Sequence, residues 1–345
     1  MSFINLFRKK NGKLLFTTPS HSQKFFIVNK FRHFYKCDIS ETDAHNPEDE
    51  LEKAQKRASE VYGTKQTLFL TNGSTSGIIT GVLATTNKND NVLIWKDAHR
   101  CHKNAVELAG CNPVYYDLPI IKDWGIPSKA TAEILEPYLK NDNIKVVIVT
   151  SPNYYGIVSD IKEIKHLCNK YNAYLIVDEA HGALYPFSDK LPQSAVNIAD
   201  VTVQSLHKTA GGLNPTALIH SNLDYDIQPF LNKINTTSPS YPLIATIEAN
   251  INYLNSKGKY KIDKLVEKIS ELKLNCSNFD FGGDDITKIL IKKDGLTGYE
   301  LSKILFEKFN IEDEITNNIS TMLLTGIGTS SKKIEKLKNV LKKIK

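Results

Sequence analysis

Short apolar runs recur along the first two thirds of the chain and alternate with longer segments of helical pattern. The runs are almost continuously apolar, which is typical of strands that are buried on both faces of a sheet. They comprise residues 67–72, 91–95, 146–150, 174–179, 201–205 and 216–221. Helical spacing is present between them at residues 75–86, 101–110 and 159–172. This order predicts an α/β fold with a mostly parallel sheet and helices on both faces.

The pattern changes near both ends of the chain. Residues 47–63 predict a helix with an acidic first turn and a glycine stop at Gly63. After about residue 258 the order becomes strand, turn, helix, strand, strand and a final helix. We therefore predict an irregular N-terminal segment (1–50), a large domain (51–258) and a small α+β domain (259–345).

Composition adds a compartment and limits the partners. With 345 residues and 41% hydrophobic content, the chain can bury a sizeable core. The net charge of +6 owes much to lysines near the C-terminus. Apolar residues there have helical spacing, so an amphipathic helix with a solvated lysine face is favoured over nucleic-acid or membrane-surface binding. Those apolar residues are Ile334, Leu337, Leu341 and Ile344.

The five cysteines are scattered without a CxxC pair, which favours neither a zinc site nor a disulfide framework. No apolar run is long enough to span a bilayer, and the N-terminus has no cleavable signal pattern. We therefore expect a cytoplasmic protein without membrane or nucleic-acid partners.

Polar residues follow several predicted strands at the points where ligands bind in open α/β sheets. Asn72 opens the turn "NGSTSG", which leads into a helix. Ser74, Thr75 and Ser76 there predict a phosphate site, because a helix N-terminus attracts anions. An ordinary N-cap is the alternative. His99 follows the next strand, either as a structural residue or as a flat ring that stacks on a planar ligand.

Asp178 stands at the end of a buried strand, where a carboxylate is costly unless it is paired. A cationic ring nitrogen is one suitable partner. A metal site with Glu179 and His181 is the rival, but Asp178 and Glu179 would point to opposite faces of an extended chain. We therefore predict no metal.

Lys208 follows the strand 201–205 together with Ser205 and His207. A partly desolvated lysine has a lowered pKa and attacks carbonyl groups, although a structural lysine is the alternative. A phosphate, a flat ring, a basic ring nitrogen and an aldehyde are all present in pyridoxal 5′-phosphate (PLP). The combination therefore predicts PLP as the cofactor.

The segments "DEAHGA" and "ADVTVQSLHKT" resemble the PLP-dependent fold-type-I Orn/Lys/Arg decarboxylase family. Further segments with family counterparts are "LLFTTPSHSQ", "DISETDAHNP", "TNGSTSG", "AHRCHKNAVELAG", "SPNYYGIVSDI", "TTSPSYPLIATIEA" and "GLTGYELSKIL". The resemblance therefore covers most of the chain.

The resemblance implies a role for each candidate residue. Lys208 would form a Schiff base with PLP, and Asp178 would pair with the pyridine nitrogen. His99 would stack on one face of the ring and Ala180 would pack against the other, while His181 would also contact the cofactor. The phosphate would be held by Ser74, Thr75, Ser76, Ser205 and His207.

The resemblance also implies a homodimer or a higher homo-oligomer with shared active sites. Thr216 would reach the phosphate across the interface, and segment 1–50 would contribute to the dimer and the site. Family members usually continue into a further C-terminal domain, which we expect this chain to lack.

The predicted activity is decarboxylation of lysine, ornithine or arginine. His207, Lys208 or a nearby tyrosine would donate the proton, and Glu179 or a small-domain residue would bind the substrate's distal cation. Two alternatives remain: another PLP reaction (transamination, elimination or oxidation) and a non-catalytic PLP-binding regulator.

Overall fold

A computed structural model describes residues 32–39 and 44–344. Most of the predicted segment 1–50, including the motif at 14–23, lies outside the described residues. The described strands are β1 Gln66–Leu70, β2 Asn91–Trp95, β3 Asn112–Tyr116, β4 Ile120–Ile121, β5 Ile126–Pro127, β6 Ile144–Thr150, β7 Tyr174–Asp178, β8 Val201–Ser205, β9 Ala217–Ser221, β10 Asp280–Gly282, β11 Lys288–Lys292, β12 Ile315–Thr316 and β13 Thr321–Leu324. The described α-helices are α1 Arg32–Cys37, α2 Asp49–Tyr62, α3 Gly73–Thr85, α4 Cys101–Leu108, α5 Ala132–Asn141, α6 Ile161–Lys170, α7 Gln228–Leu231, α8 Tyr241–Tyr253, α9 Lys259–Asn275, α10 Gly298–Phe309 and α11 Ser331–Leu341.

Seven strands form the central sheet, in the order β1-β9-β8-β7-β6-β2-β3. Strand β9 runs antiparallel to both of its neighbours, and the other adjacent strands are parallel. The carboxyl ends of β1, β2, β6, β7 and β8 therefore share one edge of the sheet. This arrangement confirms the mostly parallel α/β prediction.

The core lies on both faces of this sheet, as the continuously apolar strands predicted. On β6, Ile148 packs in the cluster that includes helices α3 and α4. Its neighbours Val147 and Val149 pack on the opposite face, in the cluster that includes α5 and α6. The six predicted strands all form, and α2 ends at Gly63, which takes a left-handed conformation with a φ of 67°.

A second, four-stranded antiparallel sheet has the order β10-β11-β13-β12. Helices α9, α10 and α11 contribute to the core beside it. The amphipathic prediction for α11 is confirmed, because Ile334, Leu337 and Leu341 are buried. The boundary at residue 258 stays a prediction, since α9 contributes to two cores. Its Ile262 packs with residues of the predicted large domain, and its Leu265 packs in the core beside the second sheet.

All five cysteines are free thiols. Within the described ranges, the helices lack the length and apolar character needed to cross a membrane.

Candidate active site

One pocket of about 260 Å³ opens at the shared edge where five strands of the central sheet end. It brings together polar residues that follow β1, β2, β6, β7 and β8, as the parallel order requires. Its lining residues are Asn72, Gly73, Ser74, Thr75, His99, Cys101, Thr150, Tyr154, Asp178, Ala180, His181, His207, Lys208 and Pro215.

The N-terminus of helix α3 forms one wall of the pocket. Ser74 and Thr75 line it, and the Asn72 side chain makes no cap hydrogen bond. The ligand role of the Ser76 side chain stays a prediction. Its hydroxyl is buried and donates to the carbonyl of Gly73 at 2.7 Å, because a serine in a first helical turn bonds readily to its own backbone.

Asp178 ends β7 with its carboxylate in a fixed orientation. Its Oδ1 accepts the backbone N–H of Ala180 at 3.1 Å, and its Oδ2 accepts the Nε2–H of His102 at 2.9 Å. Burial raises the pKa of Asp178, but the bond from His102 and the positive charges of His102 and Lys208 outweigh it and lower the pKa to about 2. Asp178 is therefore an anion at the floor of the pocket.

His102 is a functional candidate that the sequence analysis missed. It is 1% exposed, and it lies three residues after His99, which lines the pocket. The signal was present in the spacing, since residues three apart at a helix start lie on one side. Burial lowers the pKa of His99, against the charge of Asp178.

Lys208 lies in a short π-helical turn, Leu206–Ala210, directly after β8. Such turns occur frequently at functional sites. Its Nζ lies 3.1 Å from Nε2 of His181. Burial lowers the pKa of Lys208, while the charge of Asp178 opposes that shift. Burial and the charge of Lys208 lower the pKa of His181 well below its ordinary value, so the two groups face each other with the imidazole neutral.

The role of Thr216 across a subunit interface stays a prediction. Thr216 is fully buried inside its own chain, and its hydroxyl donates to the carbonyl of Leu213. The carbonyl of Thr216 has a different role, because His207 Nδ1 lies 3.1 Å from it and donates to it.

The structure contradicts the suggestion that Glu179 binds the distal cation of the substrate. The Glu179 carboxylate is 1% exposed and points away from the pocket, as the alternation of an extended chain requires. It accepts hydrogen bonds from the side chains of Ser194 and Gln204 and from the N–H of Ala195. The metal set of Asp178, Glu179 and His181 is therefore not brought together.

Cys101, His102 and Asp178 do lie close together, with ligand-type atoms within 4.8 Å of one another. In this group His102 already donates to Asp178, and burial raises the pKa of the Cys101 thiol to about 12. In the structure the three groups therefore form a hydrogen-bonded pair with a protonated thiol beside it.

Comparison with known proteins identifies the family. The model of the Orn/Lys/Arg decarboxylase major domain matches residues 8–290. The chain belongs to this family. The resemblance on which the sequence analysis relied is therefore confirmed over most of the chain.

Similar family members differ in what is known of them. The uncharacterised protein YaaO of Bacillus subtilis is 30% identical over 83% of this chain and 63% of its own length. The arginine decarboxylase of the same organism is 28% identical over 88% of this chain and 66% of its own length. The chain thus spans less than two thirds of these relatives.

A solved structure of the constitutive lysine decarboxylase of Escherichia coli superimposes with a TM-score of 0.85. The superposition covers 99% of this chain and 60% of that chain, at 18% sequence identity. At this identity the likeness concerns the fold, and it confirms the predicted fold-type-I α/β architecture.

The residues of this family member fit PLP. Several buried polar atoms in or beside the pocket have no hydrogen-bond partner within the part of the chain that the structure describes. They are Nδ1 of His102, Oγ1 of Thr150, Nδ1 of His181, Oγ of Ser205 and Oγ1 of Thr209. Buried polar groups are normally satisfied, so this concentration indicates that a polar ligand belongs here.

Proposed function

We propose that this protein is a PLP-dependent decarboxylase of a basic amino acid. The observation that carries the proposal is the composition of one pocket. It combines a lysine whose pKa is lowered, an aspartate whose pKa is about 2 and the start of a helix. These are the partners that the aldehyde, the ring nitrogen and the phosphate of PLP require.

When bound, PLP would supply an electron sink for the pair released from the substrate. Lys208 would hold the cofactor covalently, since a lowered pKa raises the share of its amine that is unprotonated and nucleophilic. Asp178 would keep the ring nitrogen protonated. Ser74, Thr75 and Ser205 would donate hydroxyl groups to the phosphate, with the backbone N–H groups of α3.

Three groups of the pocket lining would be available to transfer protons. Lys208 and His181 are in mutual contact, and the ring of Tyr154 lies edge-on to that of His181 with centroids 5.5 Å apart. Burial raises the pKa of Tyr154 to about 12, so its hydroxyl keeps its proton. His99 and Ala180, both in the pocket wall, would hold the ring from its two faces.

The substrate class rests on family membership and on one acidic residue. Glu314, between α10 and β12, is exposed, and its charge acts to raise the pKa of Lys208. Its charge therefore acts on Lys208, while its side chain lines a groove beside β13 and not the pocket itself. We propose that Glu314 binds the distal cation of lysine, ornithine or arginine, and the relative named arginine decarboxylase favours arginine.

Purified protein loaded with PLP and supplied with each of the three amino acids tests the proposal. We expect release of CO₂ and the matching amine from at least one of them, and none from the Lys208→Ala variant. Release of an α-keto acid or ammonia without CO₂ would point to a different PLP reaction. Cofactor absorbance that stays unchanged with every amino acid would favour the non-catalytic alternative.

We further propose a homo-oligomer in the cytoplasm. Leu213 is 42% exposed beside Pro215 of the pocket wall, so an apolar side chain borders the site on the surface. The free cysteines are consistent with a reducing compartment. Light scattering on the purified protein, with a Leu213→Asp variant for comparison, would measure the assembly.

A further inference from the structure

A charged network lies buried beneath the active site and has no assigned role. Lys288, the first residue of β11, is fully buried, and its Nζ donates to Asp285 Oδ2. The hydroxyl of Tyr185 donates to the same oxygen at 2.8 Å. Thr287 donates to Oδ1 of Asp285 from its backbone N–H at 2.9 Å and its hydroxyl at 2.6 Å.

Burial of these charges is costly, and such pairs often contribute little net stability. Net stability alone is therefore a weak explanation for these charges. The surrounding backbone makes room for the lysine. A Cβ on Gly156 would lie 2.9 Å from Cδ of Lys288, and Gly156 has a φ of +83°. The Gly156 carbonyl also accepts the N–H of Asp285 at 3.0 Å.

The network reaches the pocket through one further hydrogen bond. Lys288 Nζ donates to the backbone carbonyl of His181 at 3.2 Å. The imidazole of that same residue lies 3.1 Å from the Lys208 amine. Lys288 of the second sheet thus contacts the backbone of His181, whose side chain contacts the Lys208 amine.

We propose that Lys288 is a positioning residue, which fixes the backbone of His181 so that its imidazole faces the Lys208 amine. Asp285 and Tyr185 hold Lys288 in place for this purpose. The proposal rests on the proposed PLP function of Lys208.

A double-mutant cycle tests this route of action. The dissociation constant for PLP is measured for wild type, Lys288→Met, His181→Asn and the double variant. We expect Lys288→Met and His181→Asn each to weaken binding roughly tenfold. If Lys288 acts through His181, the double variant binds within about twofold of His181→Asn.

Lys165→Met is the matched control. Lys165 forms a half-buried ion pair with Asp200 at 2.7 Å, and neither residue lines the pocket. We expect this variant to lose thermal stability but to bind PLP like wild type. If Lys288→Met weakens PLP binding as much in the His181→Asn background as in wild type, the positioning role is overturned.

Tyr185→Phe replaces Lys288→Met if the latter does not fold, because it removes only the hydroxyl that donates to Asp285. We expect a two- to threefold weakening of PLP binding that disappears in the His181→Asn background. Wild-type binding by this variant would contradict the proposal.

A wild-type protein that does not bind PLP would refute the proposed function alone. The same cycle is then run on the pKa of the Lys208 amine. Acetic anhydride labels the cofactor-free protein across a pH series, and mass spectrometry measures the Lys208 peptide. Additive shifts would overturn the positioning role, and non-additive shifts would support it.

Discussion

At the residue scale, two adjacent carboxylates at the end of β7 show how local contacts set opposite behaviour. Asp178 and Glu179 are both buried, yet the pKa of Asp178 falls to about 2 and that of Glu179 rises to about 7. Asp178 has His102 and a nearby lysine as partners. Glu179 has neutral donors, which do not offset its burial.

Asp178 should contribute stability that acid removes. Its pKa is lower in the folded state than in the unfolded chain, so its contribution is present above about pH 4 and is lost as the pH falls towards 2. The contribution is about 2 kcal/mol at neutral pH. Urea unfolding of wild type and Asp178→Asn at pH 7 and pH 3 measures it. An equal stability difference at both pH values would contradict this assignment.

Glu179 should have the opposite effect. Its pKa is higher in the folded state, so the native protein holds a proton that the unfolded chain releases. The stability of the protein therefore falls as the pH rises from about 4.5 to about 7. We expect Glu179→Gln to remove this decline, so that its stability relative to wild type is greater at pH 8 than at pH 5. Urea unfolding at the two pH values is the measurement. A wild-type decline that persists unchanged in the variant would assign it to another group.

Most of the residues that the sequence proposed for the site lie together in the structure. Lys208, Asp178, His99, Ala180 and His181 all line one pocket. The roles of Ser76 and Thr216 stay predictions. Both hydroxyls donate to nearby carbonyls, and a hydroxyl satisfied in this way looks the same in sequence as a free one. The further lining residues Thr150 and Tyr154, together with His102, were missed, since their position depends on tertiary packing.

At the element scale, the strands were predicted more reliably than any other feature because they are buried on both faces. Strand β3 was missed, since it lies at the sheet edge, contains Pro113 and is partly exposed. Its mixed pattern does not have the apolar continuity on which the other strands were predicted.

The close packing of helix α3 against the sheet depends on a glycine. A Cβ on Gly77 would lie 2.7 Å from Cγ1 of Val203 and 2.9 Å from Cδ1 of Leu70. Gly77→Ala should therefore push the helix away, lower stability by ~1–3 kcal/mol and weaken PLP binding at its N-terminus. Thermal unfolding and PLP titration measure the two effects.

Gly328→Ala is the control for this variant, because no described residue other than its chain neighbours has an atom within 4 Å of a Cβ at Gly328. We expect it to change neither quantity. Equal behaviour of the two variants would show that the close approach of α3 does not matter.

At the scale of the whole molecule, the second sheet and its flanking helices contact the active site at several points. The N–H of Ile327 donates to the carbonyl of Thr209 at 2.9 Å, and Thr209 is the residue that follows Lys208. The sequence predicted the order of elements in this region, but not that it would contact the lysine turn. Contacts between distant segments leave no periodic signal in either one.

Glu314 provides the last test, because it lies in this second region and its charge acts on Lys208. If it binds the substrate's distal cation, Glu314→Gln should raise KM for the preferred basic amino acid about tenfold or more. The kcat should change little, since the distal cation is bound equally in the ground state and the transition state.

Glu312→Gln is the matched control, because Glu312 is exposed and lines the same groove beside β13 as Glu314 does. It removes the same charge two residues away, so we expect wild-type KM and kcat. Steady-state kinetics of both variants distinguish a specific contact from a general loss of negative potential. Equal rises in KM would assign the effect to the acidic surface as a whole, and a fall in kcat alone would place Glu314 in the chemistry instead of in substrate binding.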